Sequence, residues 1–343
     1  MTERRFFAGA LALAGVLVVA TCVTAHLLVG PTAPGEPVLV EIEPGTSFLQ
    51  IAARLEAAGL IRTQSGFMLV AKLRGEAARL RAGEFEIARG QSALAVLEHL
   101  VRGPVVQRRL TIPEGWTVRQ IAAAMIEQHV DDAEAVRSAL ADGAFARSLG
   151  VSADAFEGYL FPDTYQFTKG YGARRMIEAM VRRFFEVYGP EFRARENSAG
   201  LTTHQVVTLA SIVEEETGAP AERPLVARVF LNRLALGMPL QSDPTVIYGL
   251  GERYTGKLRR ADLREATPYN TYRIAALPPG PIASPGRESL RAVLWPAESN
   301  ALYFVSRNDG THAFSSTYTE HRALVERYQR AGGQDRKQVT VPN

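Results

Sequence analysis

A chain of 343 residues is longer than a single hydrophobic core usually organises, so two folded units plus attachments are expected. With 46% hydrophobic and 22% charged residues it is not a disordered chain. Its formal charge of +3, from 39 basic and 36 acidic residues, is too small to mark a nucleic-acid binder.

After "MTERR" comes the apolar run Phe6 to Gly30, whose only titratable interruptions are Cys22 and His26. At 1.5 Å per residue it reaches about 37 Å, enough to cross a hydrocarbon core of roughly 30 Å. Arg4 and Arg5 precede it, so the expected topology keeps residues 1–5 cytoplasmic, spans the membrane once over 6–30 and exports the rest. The length of the run favours a retained anchor over a cleaved signal peptide with Val23-Thr24-Ala25 as its cleavage site, or a twin-arginine signal built on "ERRFF". Cys22, the lone cysteine, lies inside this segment, so the exported part has no internal disulfide.

Residues 31–37, "PTAPGEP", read as a short stiff linker. A small β-α module is expected over 38–104. "VLVEIEPGTSFLQIAARLEAAGLI" reads as strand, Pro44-Gly45 turn and helix, and Leu80 to Gly103 as a strand around Phe85 and Ile87, a turn at Gly90 and a second helix. Two strands and two helices opened by a Pro-Gly-Thr-Ser turn resemble LysM domains, which bind the N-acetylglucosamine of cell-wall glycans, although such a module can equally serve as a spacer. Seventy positions later "LTIPEGWTVRQIAAAM" repeats the opening: Ile112 matches Ile42, Gly115 matches Gly45, and "QIAA" at 50–53 recurs at 120–123.

The larger unit is expected over 105–333, followed by a polar tail at 334–343. Phe156 to Phe167, "FEGYLFPDTYQF", packs aromatics and two acids into twelve residues, suited either to stacking sugar rings or to forming a core corner. In "RRMIEAMVRRFFEVY" the spacing of Met176, Met180 and Phe184 reads as core packing.

The most informative stretch is "LASIVEEETG", Leu209 to Gly218, at the end of a helix capped by Thr202 or Thr203. At 100° per residue, Glu216 falls about 70° from the centre of the apolar stripe and Glu214 about 90° on the other side. Glu215 lies roughly 170° away, with Thr208 and Ser211, on the face expected to be solvated. Glu216 extends the buried stripe, and burial would raise its pKa toward what a general acid needs. Beyond it, Phe230 to Gly251, Ala266 to Gly286 and Ala301 to His321 place Asn, Gln, Ser, Thr and Tyr on Pro-Gly loops, which suits a neutral polyol.

Taken in order, "EGYLFPDTY", "LASIVEEET", "NRL", "MPLQSDPTVIYG", "YNTY" and "ALPPGPIASPG" resemble the MltG (YceG-like) endolytic murein transglycosylases over nearly the whole chain. The resemblance implies an α+β protein with one N-terminal transmembrane helix, a LysM-like module and a mixed catalytic domain on the outer side of a bacterial inner membrane. It implies cleavage within peptidoglycan glycan strands at the N-acetylmuramic acid to N-acetylglucosamine linkage, with Glu216 as the catalytic acid and then base while the muramyl C6 hydroxyl closes a 1,6-anhydro ring. Glu214, Glu157 and Asp243 are the acids that could partner it. Asn232, Gln241, Tyr248, Asn270 and Tyr272 are candidates to hold sugar hydroxyls and acetamides, or equally to brace loops. Enzymes synthesising nascent strands are partners that such a location implies.

Other chemistries find little support. The six histidines, His26, His99, His129, His204, His312 and His321, show no metal-ligand spacing, so neither metal nor cofactor is expected. "GLGERYTG" lacks the third glycine of a dinucleotide fingerprint, and no G-x-S-x-G elbow occurs. Two rivals remain: a noncatalytic tethered wall-binding protein, and a hydrolase of the same linkage, which needs two carboxylates.

Overall fold

The computed structural model describes the backbone of residues 2–331 and the side chains of 13–329. The expected tail at 334–343 lies outside the described residues, as do the side chains of the expected cytoplasmic segment and of the first part of the expected span. By contact density the chain divides into two units, residues 1–108 with 166–170, and residues 109–165 with 171–343.

The first unit opens with helix α1 (Thr2–Val29), 28 residues long. Thr21 and Thr24 return their hydroxyls to the carbonyls of Leu17 and Ala20, so these polar side chains need no outside partner. Among the described residues no helix is long and apolar enough to cross a membrane. The C-terminal end of α1 is tied down: Thr63 Oγ1 donates to Leu28 O at 3.1 Å, and Arg62 Nε to Pro31 O at 2.8 Å.

Strand β1 (Val38–Ile42) leads through a turn into α2 (Phe48–Ala57), followed by α3 (Gln64–Arg74), β2 (Gly83–Ile87) and α4 (Ala93–Arg102). β1 and β2 pair antiparallel with Val40 opposite Phe85, so the alternation that puts Val40, Ile42, Phe85 and Ile87 on one face delivers all four to the core. Leu55 from α2, Phe67 from α3, and Val96, Leu97 and Leu100 from α4 close over them, each fully buried. Each such side chain contributes on the order of 2 kcal/mol of burial. Residues 38–104 therefore carry three helices where the sequence pattern indicated two. Helix α3 was hidden because its apolar residues face both ways, with Leu69 51% and Leu73 78% exposed, which erases the helical period. Thr63 caps its start, and Gly75 ends it with a left-handed φ of 64°.

The second unit begins within β3 (Arg108–Thr111), then α5 (Val118–Glu127), α6 (Ala133–Ala141), α7 (Gly143–Ser148) and the first half of β4 (Thr164–Phe167), whose last two residues count with the first unit. The internal repeat has a local cause. Ser47 and Gln50 form a capping box on α2, Thr117 and Gln120 form the same box on α5, and Gly45 and Gly115 supply the positive φ of each preceding turn, at 84° and 80°.

Then follow α8 (Ala173–Val187), α9 (Pro190–Ala199), α10 (Thr203–Glu216), α11 (Arg223–Ala235), α12 (Asp243–Leu250) and α13 (Arg287–Leu294). Hairpin β5 (Tyr303–Ser306) with β6 (His312–Ser315) and helix α14 (Tyr318–Val325) complete it. Met176, Met180 and Phe184 of α8 are buried as their spacing indicated, in an aromatic cluster where Phe184 stacks on Tyr188 and Tyr188 meets Phe192. Phe156, Tyr159, Phe161 and Phe167 are buried as well, and half-buried Tyr165 donates its hydroxyl to Phe161 O, so this aromatic stretch mainly builds core. The fold is α+β, with helices dominant and strands confined to two-stranded sheets among the described residues.

Candidate active site

Helix α10 is the central element of the second unit. Thr202 caps it, with Gln205 completing a capping box, and every residue from Val206 to Val213 is buried. This corrects the helical-wheel reading for Thr208 and Ser211, which are 1% and 0% exposed. A loop covers the face expected to be solvated: Ser211 Oγ donates to Thr208 O at 2.8 Å and accepts the Ile282 N–H at 3.0 Å, which satisfies Ser211, while Thr208 Oγ1 is buried without a partner.

The three glutamates at its end diverge. Glu214, with its side chain 5% exposed, receives Arg223 Nη2 on one oxygen at 2.7 Å and the Gly286 N–H on the other at 2.9 Å. It thereby ties α10 to the starts of α11 and α13. Glu215 is exposed, as its wheel position indicated.

Glu216 turns into a cleft of about 290 Å³ lined by Arg233, Leu240, Gln241, Asp243, Tyr272, Phe304 and His321. Burial pushes its carboxyl up to about 7, and the negative charge of Asp243 pushes the same way. Ser242 pulls it down more strongly than Asp243 pushes it up, and the charges of His312 and Arg233 add smaller downward pulls, all of them outweighed by burial. A carboxyl near 7 is substantially protonated at neutral pH and can equally hold a negative charge, which one group needs if it is to give and then take a proton.

Two loops frame this cleft, and Thr271 stitches them together. Its carbonyl accepts the Gln241 N–H at 3.0 Å, its hydroxyl accepts the Ser242 N–H at 3.0 Å, and the same hydroxyl lies 2.8 Å from Thr245 Oγ1. Gln241 is thereby held at φ 54°, a left-handed conformation uncommon outside glycine, with its side chain at the rim. Tyr272 donates to Asp243 Oδ1 at 2.6 Å. On the hairpin side, Glu222 holds His312 through both the backbone N–H, at 2.9 Å, and Nδ1, at 2.7 Å.

Of the candidate substrate residues, Gln241 and Tyr272 share the cleft with Glu216. Asn232 spends its amide on the carbonyls of Ser299 and Ala301, both at 3.0 Å, and Asn270 spends its own on Asp262, Leu263 and Glu265 carbonyls. Both brace loops. Tyr248 lies elsewhere, donating to Glu157 Oε2 at 3.1 Å beside Tyr269. Glu157 also accepts the Val118 N–H and lines a separate groove with residues of α5 and α6. Of the acids considered as partners, Asp243 alone joins Glu216. Sequence reasoning missed Arg233, Phe304 and His321 as cleft residues, because they come from three elements whose convergence no local pattern encodes. Among the described residues no three His, Cys, Asp or Glu side chains converge as metal ligands.

The sequence matches the YceG-like family over residues 40–327. It is 33% identical over 308 residues to an endolytic murein transglycosylase of Bacillus subtilis (strain 168), covering 84% of each chain. It is 30% identical over 315 residues to one of Streptococcus pneumoniae serotype 2, covering 83% of this chain and 57% of that longer protein. The crystal structure of a yceG-like protein from Listeria monocytogenes is similar with a TM-score of 0.59 and 32% identity, covering 84% of this chain and 99% of that one.

Proposed function

The chain belongs to the YceG-like family, and from that premise we propose that it is a membrane-anchored endolytic lytic transglycosylase that cuts within peptidoglycan glycan strands and leaves 1,6-anhydro-N-acetylmuramic acid ends. The observation that carries this reading is Glu216: a carboxyl raised to about 7 and turned into a polar cleft.

In the first half-reaction the protonated Glu216 gives its proton to the oxygen bridging muramyl C1 and the C4 of the next sugar, and that C–O bond breaks as C1 becomes oxocarbenium-like. In the second, the muramyl C6 hydroxyl oxygen bonds to C1 and its proton passes to the Glu216 carboxylate. The acid is regenerated and no water is consumed. Arg233, Asp243 and His321 surround the acid, while Gln241 and Tyr272 supply polar groups at the cleft for sugar hydroxyls or acetamides.

The apolar run Phe6 to Gly30 in the sequence supports retention as a single-pass anchor in the inner membrane. The catalytic unit then works outside the cytoplasm, within reach of synthases and the nascent strands they extend. The small β-α unit serves there as a LysM-like glycan contact.

One observation favours a second reading, hydrolysis of the same linkage: Asp243 shares the cleft and could activate water. Mass spectrometry of glycan strands digested by the purified protein decides between them. The proposal expects fragments ending in anhydro sugars, and reducing ends heavier by one water would replace it with hydrolysis. No cleavage by a folded, glycan-binding protein would leave a noncatalytic wall-binding role.

A further inference from the structure

Arg233 is 7% exposed, yet its guanidinium is only partly used by the fold. Nε donates to Leu302 O at 2.7 Å, and Nη1 to Leu240 O at 2.7 Å and Pro239 O at 3.3 Å. Among the described residues Nη2 has no acceptor, and no carboxylate lies within ion-pair distance of the group, although Glu216 and Asp243 line the same cleft. The guanidinium also lies over the Tyr303 ring, 5.2 Å from its centroid. His321 stacks on that ring as well, at 5.1 Å and 21°. Its Nδ1 is buried without a partner.

A buried N–H without an acceptor is rarer than a buried acceptor without a donor, so the neutral ring places its proton on Nε2. Burial and the charge of Arg233 both lower the proton affinity of His321, which keeps it neutral. The side of the cleft formed by these two residues thus offers donors and no acceptor. A sugar hydroxyl must both give and receive hydrogen bonds, whereas a carbonyl oxygen only receives them.

We propose that Arg233 and His321, set against Tyr303, form a cradle for a substrate carbonyl oxygen beside Glu216, fixing which sugar of the strand enters the cleft. This rests on the glycan-cleaving reading above. Two groups on a peptidoglycan strand carry such an oxygen: the C2 acetamide of every sugar and the lactyl group of every muramyl sugar.

The test uses the full chain carrying Glu216→Gln, so that substrate persists, and measures by calorimetry the affinity for two probes, an N-acetylglucosamine tetrasaccharide and a tetrasaccharide containing muramyl sugars whose lactyl groups are capped as amides. His321→Phe keeps the stack on Tyr303 and removes the donor, Arg233→Lys keeps the charge and removes the fork, and His321→Gln restores an N–H. The expected result is about tenfold weaker binding in the first two variants and partial recovery in the third, with His321→Phe melting as its parent does. Loss confined to the muramyl probe assigns the lactyl carbonyl, and equal loss for both assigns the acetamide. Unchanged affinity of both probes in folded His321→Phe overturns the cradle while leaving the catalytic reading intact. Absence of glycan binding by the parent overturns the reading on which the cradle rests.

Discussion

Tyr272 donates its hydroxyl to Asp243 at 2.6 Å, and the carboxylate so held stands beside Glu216 and raises its proton affinity. Asp243 thus helps keep the proposed catalytic acid protonated, whatever else it does. Replacing Asp243 by Asn removes the like charge. The alkaline limb of the pH profile of kcat/KM, where protonated Glu216 is lost, is expected to move to lower pH, with a loss of up to severalfold in rate at pH 7.5. Tyr272→Phe, which removes a donor but keeps Asp243 charged, should leave the limb where it is or shift it upward. Rate measurements from pH 5 to 9 on purified glycan strands check both.

Glu216 itself links activity to stability. Its folded-state proton affinity lies above the unfolded one, at about 7 against 4.5. The stability this contributes is fully present below pH 4.5 and is lost as the pH rises through 7, where burying the charge becomes unavoidable. Glu216→Gln removes that ionisation. The variant should lose activity by about 10³-fold or more, yet gain up to roughly 3 kcal/mol over the parent at pH 8.5 and nothing at pH 4.5. Denaturant unfolding at the two pH values reads this directly, and equal effects at both would remove the buried acid from the account.

The neighbouring glutamates give a contrasting series. Glu214→Ala leaves the Arg223 guanidinium without its 2.7 Å partner, its own Nε already buried and unpaired, and frees the Gly286 N–H. Glu114 still lies 3.5 Å from the same Nη2, so the charge keeps a weaker partner, and a loss of about 2 to 3 kcal/mol is expected from the broken charged hydrogen bond and the freed N–H. Glu215→Ala should change stability by less than about 0.5 kcal/mol. Thermal melts of the single variants distinguish a structural, an exposed and a cleft-lining carboxylate in three consecutive positions.

Those three positions show what a sequence can reveal about this fold. The helical period separated Glu216 from Glu215 correctly, because a single helix fixes the angles between its own side chains. It misjudged Thr208 and Ser211, because whether a face is wet depends on a loop around Ile282, some seventy residues away, folding back over it. The cap residue Thr202 was legible for the same local reason that α10 was. The hydrogen-bonding residues on the loops were legible as chemistry but not as geometry. Asn232 and Asn270 look like sugar-binding amides until the carbonyls they hold are seen, and Arg233 and His321 share no local pattern at all.

Tyr248 and Glu157 provide the last test, since the sequence nominated Tyr248 for substrate and the structure sets it against a different acid. Burial pushes Glu157 up to about 7, against the weaker pull of the Val118 N–H and the Tyr248 hydroxyl. Its contribution to stability therefore has the same sign as that of Glu216: present in acid and lost as the pH rises through 7. Glu157→Gln should gain stability at pH 8.5 relative to pH 4.5, but unlike Glu216→Gln it should leave the pH profile of kcat/KM in place. Tyr248→Phe strips a donor from the Glu157 carboxylate at 3.1 Å and should cost about 1 to 2 kcal/mol at alkaline pH, with KM for glycan strands unchanged. A severalfold rise in KM with normal folding would instead return Tyr248 to the substrate path, and would mean that the groove lined by Glu157, Val118 and Ala122 carries part of the strand.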